Sequence, residues 1–183
     1  MRNFLFIAVI ILLPVFANAQ STEALQVFET AVTDSRGGDH IDALDGFKRT
    51  LAIIERDPAS EEFTSKVHYN IGVTLYHLRM LPESAVHLER AVVHSKGRYA
   101  KAHYVLGLVR LERSELDKAE ESLKSAVVLD NRNGDAWYDL GRAYLALNEL
   151  DKAKRAFAKA LKNGADLRGA EQNTAAQTLT AYE

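Results

Sequence analysis

The pentapeptide Glu115-Leu116-Asp117-Lys118-Ala119 recurs unchanged as Glu149-Leu150-Asp151-Lys152-Ala153, 34 positions further along the chain. A period of this length is typical of solenoid proteins, in which each repeat is one small supersecondary unit. Such a unit cannot bury its apolar face alone and has to stack on its neighbours. The pentapeptide therefore predicts a stack of repeats with an extended surface, which favours a binding role.

Small and large apolar residues recur around the pentapeptide at matching offsets in three units. In the last unit they have the spacing Trp-x2-Leu-Gly-x2-Tyr followed by Ala-x3-Phe-x2-Ala, and they are Trp137, Leu140, Gly141, Tyr144, Ala153, Phe157 and Ala160. The middle unit has His103, Leu106, Gly107, Arg110, Ala119, Leu123 and Ala126. The earliest has His68, Ile71, Gly72, Leu75, Ser84, Leu88 and Ala91. Gly72 precedes Gly107 by 35 residues, which predicts one extra residue in the turn around Lys96 and Gly97.

This pattern resembles the tetratricopeptide repeat closely, although no unit has the proline that the family usually places after its second helix. The resemblance implies an all-α fold, a right-handed α-solenoid of antiparallel helix pairs. We expect a signal peptide over 1–19, a degenerate helical repeat over 20–58, three repeats over 59–163 and a capping helix over 164–183. In the degenerate repeat Ala43 and Phe47 keep the Ala-x3-Phe spacing, and Ala31 takes the place of the glycine. The capping helix is predicted from apolar residues on one helical face: Leu167, Ala170, Ala175, Leu179 and Tyr182.

The spacing of small residues that recurs from repeat to repeat has a packing reason. Glycine and the small alanine or serine are expected where the two helices of a pair cross, because only small side chains permit an axial separation of ~8 to 10 Å. Turn residues agree with the helix boundaries. Gly37-Gly38 predicts a helix-to-helix turn and Asn163-Gly164 the end of the last repeat helix. Pro82 is suited to a first helical turn, Ser114 with Asp117 approximates a capping box, and Asn148 is a candidate cap for the helix beginning near Leu150.

The amino terminus has the layout of a secretory signal. Arg2 is followed by an apolar run over 4–13 and then by Ala17-Asn18-Ala19, which places small residues before a cleavage point at Gln20. The alternative is an uncleaved membrane anchor. Residues 4–16 are fewer than the ~20 needed to span a bilayer and include Pro14, so cleavage without stable membrane insertion is favoured.

Composition narrows the compartment and the class of partner. The chain has no cysteine, so no disulfide supports an exported fold. It also has no Asn-x-Ser/Thr acceptor, which favours the bacterial periplasm over a eukaryotic secretory pathway. With 23 Lys+Arg against 25 Asp+Glu, interspersed, the sequence shows no basic stripe, and nucleic acid is not a predicted partner.

The resemblance also implies where a partner binds. Tetratricopeptide proteins line a concave groove with the first helices of successive repeats, and this groove holds extended or helical peptides. The matching positions here are Tyr69, Asn70, Val73, Tyr76, His77, Lys101, Tyr104, Leu108, Leu111, Glu112, Tyr138, Asp139, Arg142 and Leu145. Tyr69, Tyr104 and Tyr138 are equivalent and predict a ladder of aromatic contacts, with packing between helices as the alternative. The Lys, Asn and Arg set with which one subclass grips a chaperone's terminal carboxylate is missing.

Neither a metal site nor a catalytic site is predicted. Glu83, His87 and His94 can share one helix face, but no His-x3-His or His-Glu-x2-His motif occurs, so a solvated face is favoured. The sequence has no Ser-x2-Lys, no Gly-x-Ser-x-Gly and no phosphate-binding glycine loop. We therefore predict a non-enzymatic protein without a cofactor.

Two functions remain open at this point. One is a periplasmic adaptor or scaffold that binds a peptide or protein partner reversibly in its groove. The other is an obligate structural subunit of an envelope complex. An adaptor is expected to be a stable monomer, whereas an obligate subunit is expected to self-associate or aggregate when isolated.

Processing of the amino terminus is directly testable. If residues 1–19 are a cleaved signal, the exported protein should begin at Gln20 on amino-terminal sequencing. Recovery, in the membrane fraction, of a chain that still begins at Met1 would contradict cleavage and export.

Overall fold

The computed structural model describes residues 22–56, 59–165 and 178 of the 183-residue chain. Within these residues all regular structure is helical. The helices are α1 (22–37), α2 (His40–Arg56), α3 (Glu61–His77), α4 (Leu81–His94), α5 (Ala100–Glu112), α6 (Leu116–Leu129), α7 (Gly134–Ala146) and α8 (Leu150–Lys162). The predicted signal peptide lies outside the described residues, and so does the predicted capping helix beyond residue 165 except for Thr178, which is helical and buried.

The helices pack in sequential order. The most extensive contacts join α3 to α4, α5 to α6 and α7 to α8, and the second helix of each pair then packs on the first helix of the next. At the amino-terminal end α1 packs on α2, with the rings of Phe28 and Phe47 5.5 Å apart. First helices also contact the first helices that follow them, α3 with α5 and α5 with α7. This arrangement confirms the prediction of a solenoid of helix pairs.

Glycine lies at the crossing point of each of the last three pairs. A Cβ atom built on Gly72 would lie 2.6 Å from Leu88 Cγ, one on Gly107 2.5 Å from Leu123 Cγ, and one on Gly141 2.6 Å from Phe157 Cε1. Real side chains do not approach so closely. The predicted repeat register is therefore correct, because each glycine meets the large landmark residue of its own second helix.

The first pair reaches the same close approach in another way. Ala31 occupies the glycine position of α1, and the space it needs is provided by Gly46 on α2, where an added Cβ would lie 2.7 Å from Ala31 Cβ. Ala31, Ala43 and Phe47 are fully buried. The degenerate repeat thus keeps the helix crossing by moving the glycine to the second helix.

A turn residue with positive φ separates the helices of each pair. The residues are Gly38, Arg79, Ser114 and Asn148, with φ of 92°, 62°, 59° and 60°. The capping predictions for Ser114 and Asn148 are wrong, because α6 and α8 begin after Glu115 and Glu149, which make no side-chain cap. Pro82 does lie in the first turn of α4. The backbone needs a left-handed residue to reverse direction, and this takes precedence over capping.

The turns between pairs also agree with the sequence. Lys96 and Gly97 both have positive φ, 53° and 74°, so two left-handed residues accommodate the predicted extra residue. Gly164, with φ of 69°, follows the last helix as predicted. Ser60 and Asn133 cap α3 and α7, each accepting a backbone N–H bond with its side chain.

Histidine replaces the landmark tryptophan in the pair formed by α3 and α4. His68 is buried, its Nδ1 lies 3.1 Å from His87 Nδ1, and its ring stacks on His94 with centroids 5.4 Å apart. His94 Nδ1 in turn lies 2.5 Å from Glu61 Oε2. Burial, followed by the charges of His87, His94 and Arg90, lowers the pKa of His68 to about 4.

The glycine crossing predicts that one substitution lowers the free energy of unfolding in the native protein and raises it when the opposing leucine is removed. Gly107→Ala should lower the free energy of unfolding by about 1 kcal/mol or more, because the new methyl group overlaps Leu123. In a Leu123→Ala background the space is vacant, and the same change should raise stability by up to ~1 kcal/mol, since alanine favours a helix over glycine. Urea denaturation measures both effects.

Lys118→Ala on the exposed face of α6 is the reference for this test and should change stability by under ~0.5 kcal/mol. If Gly107→Ala stabilised both backgrounds equally, the close approach of α5 to α6 would be wrong.

The histidine cluster predicts a loss of stability in acid. The pKa of His68 falls from 6.5 unfolded to about 4 folded, and burial also lowers the pKa of His87, which faces Arg90 and Lys48. The unfolded chain therefore binds more protons as pH falls below about 6.5, and the contribution of these groups is complete above that pH and lost towards pH 4. The melting temperature should drop across this range, and less so in His68→Phe. An equal drop in both proteins would contradict this role of His68.

Candidate binding groove

The structure brings several predicted groove residues together on the face where α3, α5 and α7 adjoin. We call this face the first-helix surface. The Tyr76 hydroxyl on α3 donates to Glu112 Oε1 on α5 at 2.6 Å. The Tyr104 hydroxyl on α5 donates to Asp139 Oδ2 on α7 at 3.0 Å. Each bond links two successive first helices, so the surface is a continuous one held by tyrosine–carboxylate pairs.

Both carboxylates also have cationic partners. Arg79, in the turn after α3, pairs with Glu112, and Arg142 Nη1 lies 2.7 Å from Asp139 Oδ1. Asp139 is only 6% exposed, so it needs such partners to remain charged. The two anions are therefore balanced, and the surface presents hydrogen-bonding groups with little net charge.

The tyrosine hydroxyls remain protonated in this network. Burial, and next the hydrogen bond from its hydroxyl to Glu112, raises the pKa of Tyr76 to about 12. Burial and the neighbouring charge of Asp139 raise the pKa of Tyr104 as well. Both groups stay hydrogen-bond donors at neutral pH, because burial and the neighbouring carboxylates both disfavour the phenolate.

The structure removes Tyr138 from the predicted tyrosine ladder. Tyr69 and Tyr104 are half-buried and retain exposed surface, but Tyr138 is 6% exposed and its ring lies 5.4 Å from that of Phe157. Tyr138 belongs to the core between α7 and α8. The equivalents of Phe157 in the earlier pairs are the smaller Leu88 and Leu123, so equivalence along the sequence did not give equivalence in burial.

The other predicted residues fall into three groups. The half-buried apolar positions are Val73, Leu108, Leu111 and Leu145, of which the last two pack against the core. Lys101 and Arg142 are exposed. Asn70 donates from its side chain to Lys66 O, and His77 stacks on His40 of α2 with centroids 4.7 Å apart. His77 therefore contacts the preceding repeat.

Two residues beside this surface were not identified from the sequence. Tyr99, which precedes α5, has its ring 4.9 Å from that of Tyr69, and burial raises its pKa to about 12. Arg79 pairs with Glu112. Arg79 aligns with Ser114 and Asn148, so its place in a turn was readable from the repeat, but its partner, 33 residues away, was not.

A hollow of about 570 Å³ opens between the start of α3 and the turn that leads to α5. Its lining includes Glu61, Lys66, His94, Arg98 and Tyr99. It joins segments more than 30 residues apart, which no single sequence window could identify.

His87 and His94, for which the sequence favoured a solvated helix face, are instead partly buried against the neighbouring helix. His87 and His94 contact His68 on α3 and do not gather around Glu83. Within residues 22–56, 59–165 and 178, no group of three or more His, Cys, Asp or Glu side chains is arranged to hold a metal ion. Among these residues there is also no helix with the length and apolar character to cross a membrane.

Comparisons with solved structures agree with this architecture. MamA 41-end from Desulfovibrio magneticus RS-1 is 20% identical, with a TM-score of 0.69, and the match covers 86% of this chain and 92% of the MamA chain. YrrB, described as a TPR protein with an unusual peptide-binding site, is 21% identical, with a TM-score of 0.65 and coverage of 80% and 71%. The first TPR of Spaghetti (RPAP3), bound to the HSP90 peptide SRMEEVD, is 16% identical, with a TM-score of 0.60 and coverage of 66% and 94%. At these identities the likeness establishes the fold.

Sequence comparison identifies the family. No match was found among the curated proteins. Two family models, both described as tetratricopeptide repeat, match residues 110–181 and 81–136, so that together they include the last two helix pairs and part of the pair before them. With the glycine crossings and the sequential pairing of helices, these matches show that the chain belongs to the tetratricopeptide repeat family.

Proposed function

We propose that this protein is a non-enzymatic adaptor or scaffold that binds a peptide or protein partner on its first-helix surface. The observation that carries the proposal is the pair of bonds from Tyr76 to Glu112 and from Tyr104 to Asp139. They fix three successive first helices relative to one another before any partner arrives. A preformed surface loses less conformational entropy on binding than one that has to be ordered.

The composition of this surface suits a polypeptide. Tyr69 and Tyr104 offer large, rather rigid rings with partly exposed area. Val73 and Leu108, which follow them by one turn on α3 and α5, add half-buried apolar area. Tyrosine is enriched at protein interfaces for these reasons. Among the similar structures, that of Spaghetti holds a peptide and YrrB is described by its peptide-binding site, which supports this use of the fold.

The charges favour a partner different from an acidic chaperone tail. The peptide bound to Spaghetti, SRMEEVD, ends in three acidic residues among its last four. On the first-helix surface Glu112 and Asp139 already neutralise Arg79 and Arg142. A segment with apolar and hydrogen-bonding side chains would fit this balanced surface better than a strongly acidic one.

The proposed compartment is the bacterial periplasm. It rests on the apolar run over 4–13, the residues Ala17 and Ala19 and the absence of Asn-x-Ser/Thr acceptors. Partners in that compartment are other envelope proteins.

The alternative is an obligate structural subunit of an envelope complex. It is favoured by two exposed valines at equivalent positions on second helices, Val93 on α4 at 72% exposure and Val128 on α6 at 81%. If these valines are covered in a permanent complex, the isolated protein should self-associate or aggregate.

Crosslinking in the native cell, followed by titration of the captured partner, tests the proposal. Tyr69→Ala/Tyr104→Ala removes the two accessible rings and should weaken binding by about 2 to 4 kcal/mol if both are hot spots. Val93→Ala/Val128→Ala truncates two side chains on second helices and is the matched control, which should bind as tightly as the native protein. Circular dichroism verifies that both variants are folded.

The same titration also tests the alternative function. Unchanged affinity in the tyrosine variant, with loss of binding in the valine variant, would place the interface on the second helices. That outcome would favour the structural subunit.

A further inference from the structure

The last helix of the solenoid is unusually basic. α8 carries five cations, Lys152, Lys154, Arg155, Lys159 and Lys162, with Asp151 as its sole acidic residue. The preceding second helix, α6, has Asp117, Glu120 and Glu121 against Lys118 and Lys124. At aligned positions Glu120 and Glu121 are replaced by Lys154 and Arg155. Positive charge is thus concentrated on one helix of a chain that is slightly acidic as a whole, so the expectation of interspersed charge does not hold for α8.

Three of these cations, Lys152, Arg155 and Lys159, border a hollow of about 250 Å³ between α7 and α8, which we call the α8 pocket. It is lined by Trp137, Tyr144, Lys152, Arg155, Ala156 and Lys159. Lys159 Nζ lies 4.0 Å from the centroid of the Trp137 ring. Trp137 is held in place because its Nε1 donates to Asn131 O at 3.0 Å. The pocket therefore combines a fixed aromatic wall with cationic edges.

The corresponding hollow of the middle repeat is an internal control. It has a volume of about 220 Å³, and His103 and Arg110 hold the places of Trp137 and Tyr144. There Arg110 is used within the protein, since its guanidinium lies 2.8 Å from Glu89 Oε1 and donates to Ser122 Oγ at 2.6 Å. Arg110, the basic residue of this hollow, is therefore already paired with the carboxylate of Glu89.

The α8 pocket lacks such compensation. Lys152 pairs with Glu149 at 2.8 Å, but neither Arg155 nor Lys159 forms an ion pair with any of the described residues. Both are exposed. Among the described residues, the same place in the repeat is therefore balanced internally in the middle unit and has two cations without a carboxylate partner in the last.

We propose that the α8 pocket is a second interaction site, separate from the first-helix surface, which binds an acidic segment of a protein partner. Carboxylates of that segment pair with Arg155 and Lys159, and the guanidinium can bind one carboxylate through two hydrogen bonds. Because Lys159 already lies over the Trp137 ring, a carboxylate bound to Lys159 is held beside the indole. The two sites differ in charge, because the first-helix surface is balanced and the α8 pocket is cationic.

The extent of the charge favours a short acidic segment over a nucleic acid or a lipid surface. α8 has 13 residues and is therefore only ~20 Å long. A longer polyanion would run onto the neighbouring face of α6, where Asp117, Glu120 and Glu121 would repel it. A peptide segment can end within the length of α8.

Trp137 is the only tryptophan of the chain and reports directly on the pocket. The probe is a fluorescein-labelled oligoglutamate peptide free of tryptophan and tyrosine, added at low ionic strength. We expect saturable binding by fluorescence anisotropy, with a change in Trp137 emission over the same concentration range. Arg155→Glu/Lys159→Glu should weaken binding about tenfold, the effect of losing two exposed ion pairs.

Lys118→Glu/Lys124→Glu is the matched control, because it changes the net charge by the same amount on α6. This variant should bind the peptide with less than about a twofold change. Equal weakening in both variants would show attraction by net charge alone and would overturn the proposal. A labelled single strand of DNA and phosphatidylglycerol vesicles are titrated in parallel. Tighter binding of either, lost in the α8 variant alone, would overturn the assignment to a protein segment.

A second copy of the chain is the remaining occupant that the experiment distinguishes. Sedimentation of the unliganded protein should show a monomer at the concentrations used for titration. Self-association abolished by Arg155→Glu/Lys159→Glu would assign the pocket to another copy and overturn the proposal as stated.

Discussion

The structure depends on a close approach between the two helices of each pair. Gly72, Gly107 and Gly141 leave no room for a Cβ atom against the large residue of the opposing helix, and Gly46 performs the same role against Ala31. Close approach lets Leu88, Leu123 and Phe157 fill the space beside the backbone instead of holding the helices apart. Because each pair is stacked on the next, an error at one crossing would displace the following repeats.

The first-helix surface follows from that stacking. Once α3, α5 and α7 are placed side by side, Tyr76 and Tyr104 reach carboxylates on the next helix, Glu112 and Asp139. These bonds form because successive first helices lie side by side, within reach of each other's side chains. The surface is consequently ordered by the core beneath it, with a partly buried carboxylate in each bond kept satisfied by an arginine.

Repetition of the backbone leaves the chemistry of equivalent positions free to diverge. The tryptophan position is a buried histidine in the α3–α4 pair and the wall of a cationic hollow in the last pair. At the following landmark position, Arg110 is neutralised in the middle pair, whereas Tyr144 lies beside Lys152 in the last. A solenoid can therefore carry an acid-sensitive buried site, a charge-balanced surface and a cationic hollow in successive repeats, since contacts are confined to neighbouring repeats.

The sequence alone determined the number and register of the clear helix pairs, the glycine crossings and the extra residue around Lys96 and Gly97, because these depend on spacing along the chain. The tertiary structure decided the rest. It turned Ser114 and Asn148 into left-handed turn residues, buried Tyr138 against Phe157, and paired Tyr76 with Glu112. These outcomes depend on the reach of side chains between helices about one repeat apart, and local spacing does not encode the size of the neighbour that a residue meets.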